Sequence, residues 1–433
     1  MRESINSRKI NLKLAQNRKY ILLGAISIQL CLGVINAWPS LLLKLVGSGN
    51  FAFTTIQTEW IYFAGMISFA LAGLFSGRMM QWFSSRKIAV ISGIMLGSGY
   101  ILGGLLGTTF ATQLLFTGIM GGMGIGLGFV TSLVLTIRWF PDLKGFCTGL
   151  VSAGFALGAF IWVKAATWVN LISIFSLDGL RSVFILYGFI FLILITFTAF
   201  FLNDPPPDFH PPGWTAAAIS GNGSGMINFE ANEMLKLPQF AIISLSFFFS
   251  VSVGLIIIKN LGLFGTQALK AAGLEMPLAV EVAGWAMTLV ILLSVLGIIG
   301  WGYISDMIGR KMSICFMSLL QGMVLILFYT MGGEPKLYIL GACVIGFNFG
   351  GNLPLFTSIT ADYFGDKSMR TNYAYVLASY CLANVIGLFI ANYLSMKATS
   401  SSLSFWLWPL EIAGMLCLIL AGAVFMMKSP FKR

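Results

Sequence analysis

Gly302-Tyr303-Ile304-Ser305-Asp306-Met307-Ile308-Gly309-Arg310-Lys311 is a short polar loop between two long apolar runs. A loop of the same build, Gly77-Arg78-Met79-Met80-Gln81-Trp82-Phe83-Ser84-Ser85-Arg86-Lys87, lies 225 residues earlier. A second landmark repeats at almost the same distance: Trp139-Phe140-Pro141-Asp142 and Tyr363-Phe364-Gly365-Asp366 are 224 residues apart. Two unrelated landmarks sharing one offset indicate duplication of a large unit, because chance similarity between apolar segments would not preserve spacing.

The apolar runs define that unit. Of the 433 residues 58% are hydrophobic and only 9% charged, against about 25% charged in a soluble domain, whose surface must be wetted. Runs long enough to cross a hydrocarbon core of about 30 Å as helices recur over 20–45, 57–77, 88–108, 112–136, 145–169, 182–202, 239–260, 280–302, 313–332, 337–359, 372–396 and 403–427. The expectation is an all-α membrane protein of twelve transmembrane helices in two pseudo-symmetric six-helix bundles. Residues 1–202 form the N-terminal half, 203–238 a cytoplasmic linker and 239–433 the C-terminal half. The linker opens Asn203-Asp204-Pro205-Pro206-Pro207, which ends the sixth helix, and continues into a flexible Ser220–Gly225 stretch.

The net charge of +11 would suit a nucleic-acid partner only if it formed a basic stripe; here it is scattered in short clusters between apolar runs. Membrane topology accounts for it. With the N-terminus in the cytoplasm, 19 of the 26 Lys and Arg residues fall inside, from Arg2 to Arg433. Only seven lie outside: Lys44, Lys164, Arg181, Lys259, Lys270, Lys336 and Lys397. This positive-inside bias places both termini in the cytoplasm of an inner or plasma membrane. The first apolar run is too long for a cleaved signal peptide.

Several chemistries have no residues to carry them. The six cysteines all sit in apolar runs without a CxxC pair, and the one histidine, His210, falls in the linker. No metal site is expected, and no cofactor. A nucleotide loop, HExxH, a Ser/His/Asp set and a cluster of intramembrane acids are all missing, which argues against a membrane enzyme. The same scarcity of buried acids weakens proton coupling through a core carboxylate. The partners expected are a small-molecule substrate and the lipid bilayer, not nucleic acid, with the chain working as a monomer. An integral-membrane enzyme, and a channel or non-transporting sensor of the same architecture, are the alternatives from other classes.

The loop at 302–311 fits the G-x-x-x-D-x-x-G-R-K signature of the major facilitator superfamily almost completely, and the chain resembles that superfamily from end to end. The resemblance implies a secondary transporter working by alternating access, with Gly302, Asp306, Gly309, Arg310 and Lys311 in a gating loop. The first copy is degraded, with Gln81 in place of the acid and Ser84 in place of the glycine. Within the superfamily the chain resembles the oxalate/formate antiporter group, which includes monocarboxylate carriers. That resemblance rests on Ile28–Gly33 with Ala37-Trp38, on Arg138–Asp142 with Lys144-Gly145 and Thr148-Gly149, on Pro205-Pro206 with Pro212-Gly213-Trp214, and on Ala361–Gly365. Carriers of that group typically have an arginine in helix eight, and the oxalate carrier a lysine in helix eleven. The matching positions here are Ile298 and Tyr380, while Asn36 and Phe129 replace tyrosines of helices one and four. The resemblance therefore implies a small monoanion such as a monocarboxylate in preference to a dianion, with an amino acid or neutral metabolite as the alternative.

Polar groups at membrane depth are functional by default. Helix one offers Asn36, Trp38, Pro39 and Ser40; helix four offers Thr131 and Ser132 beside Phe129. Asn348 and Asn352, four residues apart, share one face of helix ten, where glycines 346, 350 and 351 permit close packing. Helix eleven adds Tyr373, Tyr380 and Asn384. The opposing possibility for each is interhelical hydrogen bonding. Lys44, Lys164 and Lys259 fall near the outer ends of their apolar runs, where a lysine can snorkel to water. Lys259, beside Asn260, is the best placed to attract an anion.

Overall fold

Each apolar run becomes a helix, because in hydrocarbon every backbone N–H and C=O must be satisfied within the segment. The computed structural model describes residues 18–38, 53–79, 82–169, 179–206, 209, 211 and 228–430. Pro39, Ser40, Lys44, Gln81, His210 and the Pro212–Trp214 and Ser220–Gly225 stretches lie outside the described residues.

Twelve helices among the described residues are long and apolar enough to span a membrane: α1 (Arg18–Trp38), α2 (Thr55–Met79), α3 (Ser85–Leu106), α4 (Phe110–Trp139), α5 (Lys144–Ala166), α6 (Leu180–Ala199), α7 (Pro238–Ala271), α8 (Met276–Ile308), α9 (Arg310–Met331), α10 (Pro335–Phe364), α11 (Met369–Thr399) and α12 (Leu403–Met426). No strand occurs among them. Local chemistry sets several boundaries. Pro238 starts α7 at a position where its missing N–H costs nothing. Thr109 and Thr112 form a reciprocal capping box before α4. Within α4, residues Leu114–Met120 widen into a π-helical turn. Gly309 separates α8 from α9 at φ 87°, a left-handed conformation that residues with a Cβ rarely adopt.

The helices outrun the apolar stretches most clearly in α7 and α8. The hydropathy signal of the seventh run stops at 260, but the helix continues to Ala271. Residues 261–271 alternate Leu and Phe with Gly, Thr, Gln and Lys, which lowers hydropathy without breaking the i→i−4 ladder. Large side chains such as Phe75, Ile193, Phe197, Leu296 and Phe389 are exposed along the spans. Patches of this kind are uncommon on soluble monomers and fit a surface solvated by lipid chains.

The chain divides into two compact units, one of residues 1–231 with 364–381, the other of residues 232–363 with 382–433. The duplication is visible in their packing. In the first unit α3 packs on α6, and in the second α9 packs on α12. The contacts use equivalent glycines. A Cβ on Gly97 would lie 2.8 Å from the Gly188 carbonyl, and one on Gly322 would lie 2.9 Å from the Gly414 carbonyl. Equivalent glycines of the two pairs are 225 and 226 residues apart, close to the repeat distance read from the loops. Small residues let the backbones touch where no hydrophobic drive separates helix from lipid.

Candidate functional site

In the first unit the polar residues of α4 are tied to neighbouring helices. The Thr131 hydroxyl donates to the Leu127 carbonyl (2.7 Å) and lies 3.2 Å from the Ser76 hydroxyl of α2. Gln29 Nε2 of α1 donates to Ser132 Oγ at 3.0 Å. Both α4 residues are fully buried, so here the interhelical bond is what the structure displays. Phe129 is wedged edge-on between Phe69 and Phe155, with centroids 5.1 and 5.0 Å away. Trp38 donates Nε1–H to the Thr58 carbonyl (3.0 Å) and stacks on Phe184. It lines a small cavity with Tyr62, Tyr100 and Thr117. Asn36 is half-buried, and Tyr380 is buried at the end of the α11 portion that belongs to this unit.

Sequence reasoning missed the most connected acid of this unit. Asp204, just past α6, accepts hydrogen bonds from the Ser85 N–H (3.0 Å) and Ser85 Oγ (2.9 Å) at the start of α3. The same carboxylate binds Arg138 of α4 and Arg370 of α11, each at 2.8 Å. It therefore caps an orphaned helix N-terminus and is shared by two guanidiniums. The available signal was an acid beside Pro205-Pro206 directly after the sixth run. Around it Asn203 accepts from Arg86 (2.5 Å), and Trp139 Nε1 donates to the Asn203 carbonyl (2.7 Å).

Residues 364–381 are fastened into the same unit. Lys144 pairs with Asp366 at 3.2 Å. Thr371 Oγ1 donates to the Gly77 carbonyl (3.3 Å), and Asn372 Nδ2 to the Phe229 carbonyl (2.9 Å). The Phe229 N–H closes the set on the Phe364 carbonyl (3.0 Å). Both copies of the Trp/Tyr-Phe-x-Asp landmark thus place acids in ion pairs, since Asp142 binds Arg18.

In the second unit the intact loop forms a compact charge cluster. Arg310 donates to Asp306 (2.5 Å) and to Ser305 Oγ (2.9 Å), and its Nε lies 3.4 Å from Asp362 of α10. Lys311 reaches over the Phe425 ring. Gly302 is buried on the α8 side of this cluster.

Lys259 lies near the end of its apolar run, on a helix that continues beyond that run. It lies twelve residues before the end of α7 at Ala271, not at the end of the helix; that is about 18 Å along the axis. Its ammonium meets Asn392 of α11. Neighbouring Asn260 joins the same two helices, donating to the Ala391 carbonyl (3.2 Å) and accepting from Ser395 (2.6 Å). Lys164 keeps its place near the end of its helix, over the Phe160 ring. Ile298 is buried, and its backbone lies where α8 crosses α10 at Gly350. Asn384 is buried in α11. Asn348 and Asn352 do share a face, and they line one cavity with Ser250, Ser318 and Gln321. The structure thus groups the two α10 amides with each other and Lys259 with Asn392, and leaves the α4 residues in helix-to-helix bonds.

The family model described as "Major Facilitator Superfamily" matches residues 21–280 and 239–433. The uncharacterised MFS-type transporter YhjX of Escherichia coli K12 is 24% identical over 86% of this chain and 86% of its own length. The oxalate:formate antiporter of Oxalobacter formigenes is 26% identical over 72% of this chain and 69% of its own. The apicoplast pyruvate carrier 1 of Toxoplasma gondii is 21% identical over 76% and 68%. Among solved structures, the outward conformation of the transporter FucP superposes with a TM-score of 0.66 at 15% identity, covering 93% of this chain and 97% of that one. A twelve-helix fold, a duplicated loop signature and a family match along nearly the whole chain agree: this protein belongs to the Major Facilitator Superfamily and is a multi-pass secondary transporter of the membrane.

Proposed function

We propose that the chain carries a small organic monoanion, a monocarboxylate or a comparable zwitterion, by alternating access, with both termini in the cytoplasm of an inner or plasma membrane. The observation that carries this reading is Lys259, an exposed cation of α7 whose ammonium meets Asn392 of α11, in a chain with Ile298 and Tyr380 at the two positions where the resemblance would put basic residues. One such cation balances one carboxylate; a dianion would leave a charge uncompensated. The similarity to an oxalate:formate antiporter and to a pyruvate carrier supports the carboxylate class.

The test is uptake into proteoliposomes of lactate-like monocarboxylates, oxalate, amino acids and neutral solutes, by wild type and Lys259→Gln. An ion pair partly shielded from water is worth a kcal/mol or more, so affinity for the carried anion should fall about tenfold or beyond. Neutral solutes should be indifferent. Tight oxalate binding, or anion uptake insensitive to Lys259, overturns the assignment. Uptake confined to neutral solutes favours the alternative carrier of a neutral metabolite.

A further inference from the structure

The cavity between α7, α9, α10 and α12 lies wholly inside the second unit; five of its lining residues, Ser250, Ser318, Gln321, Asn348 and Asn352, bear side-chain oxygens, and the rest of the wall is apolar side chains and glycine. Asn348 is 2% exposed, Asn352 3% and Gln321 7%. Asn348 Oδ1 and Nδ2, Asn352 Oδ1 and Gln321 Oε1 are all buried without a hydrogen-bond partner. Only the Asn352 amide nitrogen is engaged in its own helix, donating to the Phe349 carbonyl (3.0 Å). Buried polar atoms are almost always paired, because leaving one unpaired forfeits its hydration. Three orphaned amide oxygens converging on one space are therefore groups waiting for an occupant.

The space and its chemistry define that occupant. There is room for about one water-sized particle, which excludes a carboxylic acid, an amino acid or a sugar. No carboxylate or basic side chain lines the cavity, so a divalent cation, which needs anionic ligands to offset its dehydration, is excluded too. A lone water fits the volume but donates only two hydrogen bonds, which leaves one of the three orphaned acceptors unserved. A small hard monovalent cation is served by all three and by the two serine hydroxyls. Neutral oxygens replacing a hydration shell in this way are what makes dehydration of such an ion tolerable in a membrane.

We propose that this cavity is a binding site for a single sodium-sized monovalent cation, ligated by the side-chain oxygens of Asn348, Asn352 and Gln321 with Ser250 and Ser318. The site is independent of which solute the transporter carries. It also gives the chain a coupling ion that needs no buried acid. The Asn348 amide nitrogen then falls to a serine hydroxyl of the same cavity, which can accept from it while its oxygen faces the ion.

The experiment uses the purified full-length chain in detergent. Binding of ²²Na⁺ is measured by scintillation proximity, and melting is followed in NaCl, KCl and choline chloride at one ionic strength. Saturable binding of one ²²Na⁺ per chain, and a melting point higher in NaCl than in choline chloride, are expected. Asn348→Leu keeps the branching and Gln321→Leu nearly the size of the side chain, and each removes an orphaned oxygen. Each should weaken ²²Na⁺ binding at least tenfold while melting no lower than wild type in choline chloride. Absence of saturable ²²Na⁺ binding together with equal melting in all three salts means the cavity holds water only and overturns the proposal. Binding unchanged in both variants overturns it as well, by placing the ion elsewhere. Should either variant fail to fold, the wild-type binding and the other variant still decide.

Discussion

Replacing Asp204 with asparagine tests what holds residues 364–381 in the first unit. The side chain keeps its shape and one acceptor, so the Ser85 bonds at 2.9 and 3.0 Å are weakened but not abolished. What disappears is the charge shared by Arg138 and Arg370, both at 2.8 Å. Bare Coulomb attraction at such distances is about 4 kcal/mol per pair at an effective dielectric of 20. The three side chains are 27%, 24% and 21% exposed, so water screens them, and exposed pairs retain about 0.2–1 kcal/mol each. Losing both pairs, and leaving two guanidiniums facing each other, should cost about 2 kcal/mol. That corresponds to about a thirtyfold rise in local opening of the segment. Hydrogen–deuterium exchange reads this directly: amides of residues 366–380 should exchange about thirtyfold faster in Asp204→Asn, while those of α9 should not change. Arg370→Gln should reproduce most of the effect, and the double variant should add little, since both remove the same contact. Unchanged exchange over 366–380 would refute the reasoning and leave the segment held by the Lys144–Asp366 pair, by the Thr371–Gly77 and Asn372–Phe229 hydrogen bonds and by packing.

Gly350→Ala should destabilise the protein by about 2–4 kcal/mol, read as a lower melting point, because the new Cβ would sit 2.7 Å from the Ile298 nitrogen and closer still to the Ser294 carbonyl. Gly422→Ala, with no atom within 4 Å of the added carbon, should shift stability by under about 0.5 kcal/mol. Asp306→Asn breaks the ion pair with Arg310. It should slow transport while leaving substrate affinity within a few-fold, and a large loss of affinity in a stably folded variant would contradict a latch role. Reporter fusions after residues 110 and 333 should register outside and one after 220 inside; an inside signal at 110 would reverse the topology.

Twelve spans and a duplicated half were legible in the sequence because each depends on near neighbours along the chain. Apolar runs form helices wherever water is absent, and a repeat declares itself by spacing. The glycines of α10 were legible for the same reason: a run without side chains permits close approach, and α8 takes it at Gly350. The extent of α7 was not, since its last turns read as polar and are kept helical by packing. Nor could hydropathy reveal Asp204 as the hub of the first unit. Its partners lie 119, 66 and 166 residues away, and only the folded backbone brings them within hydrogen-bond reach. Thr131 and Asn348 make the same point in opposite directions. Both are polar residues at membrane depth, indistinguishable by composition, yet one is satisfied by Leu127 and Ser76 while the other faces a small hollow with no partner. Whether a buried polar group ties helices together or awaits a ligand is decided by what the neighbouring helices place opposite it, and that is a property of tertiary packing alone.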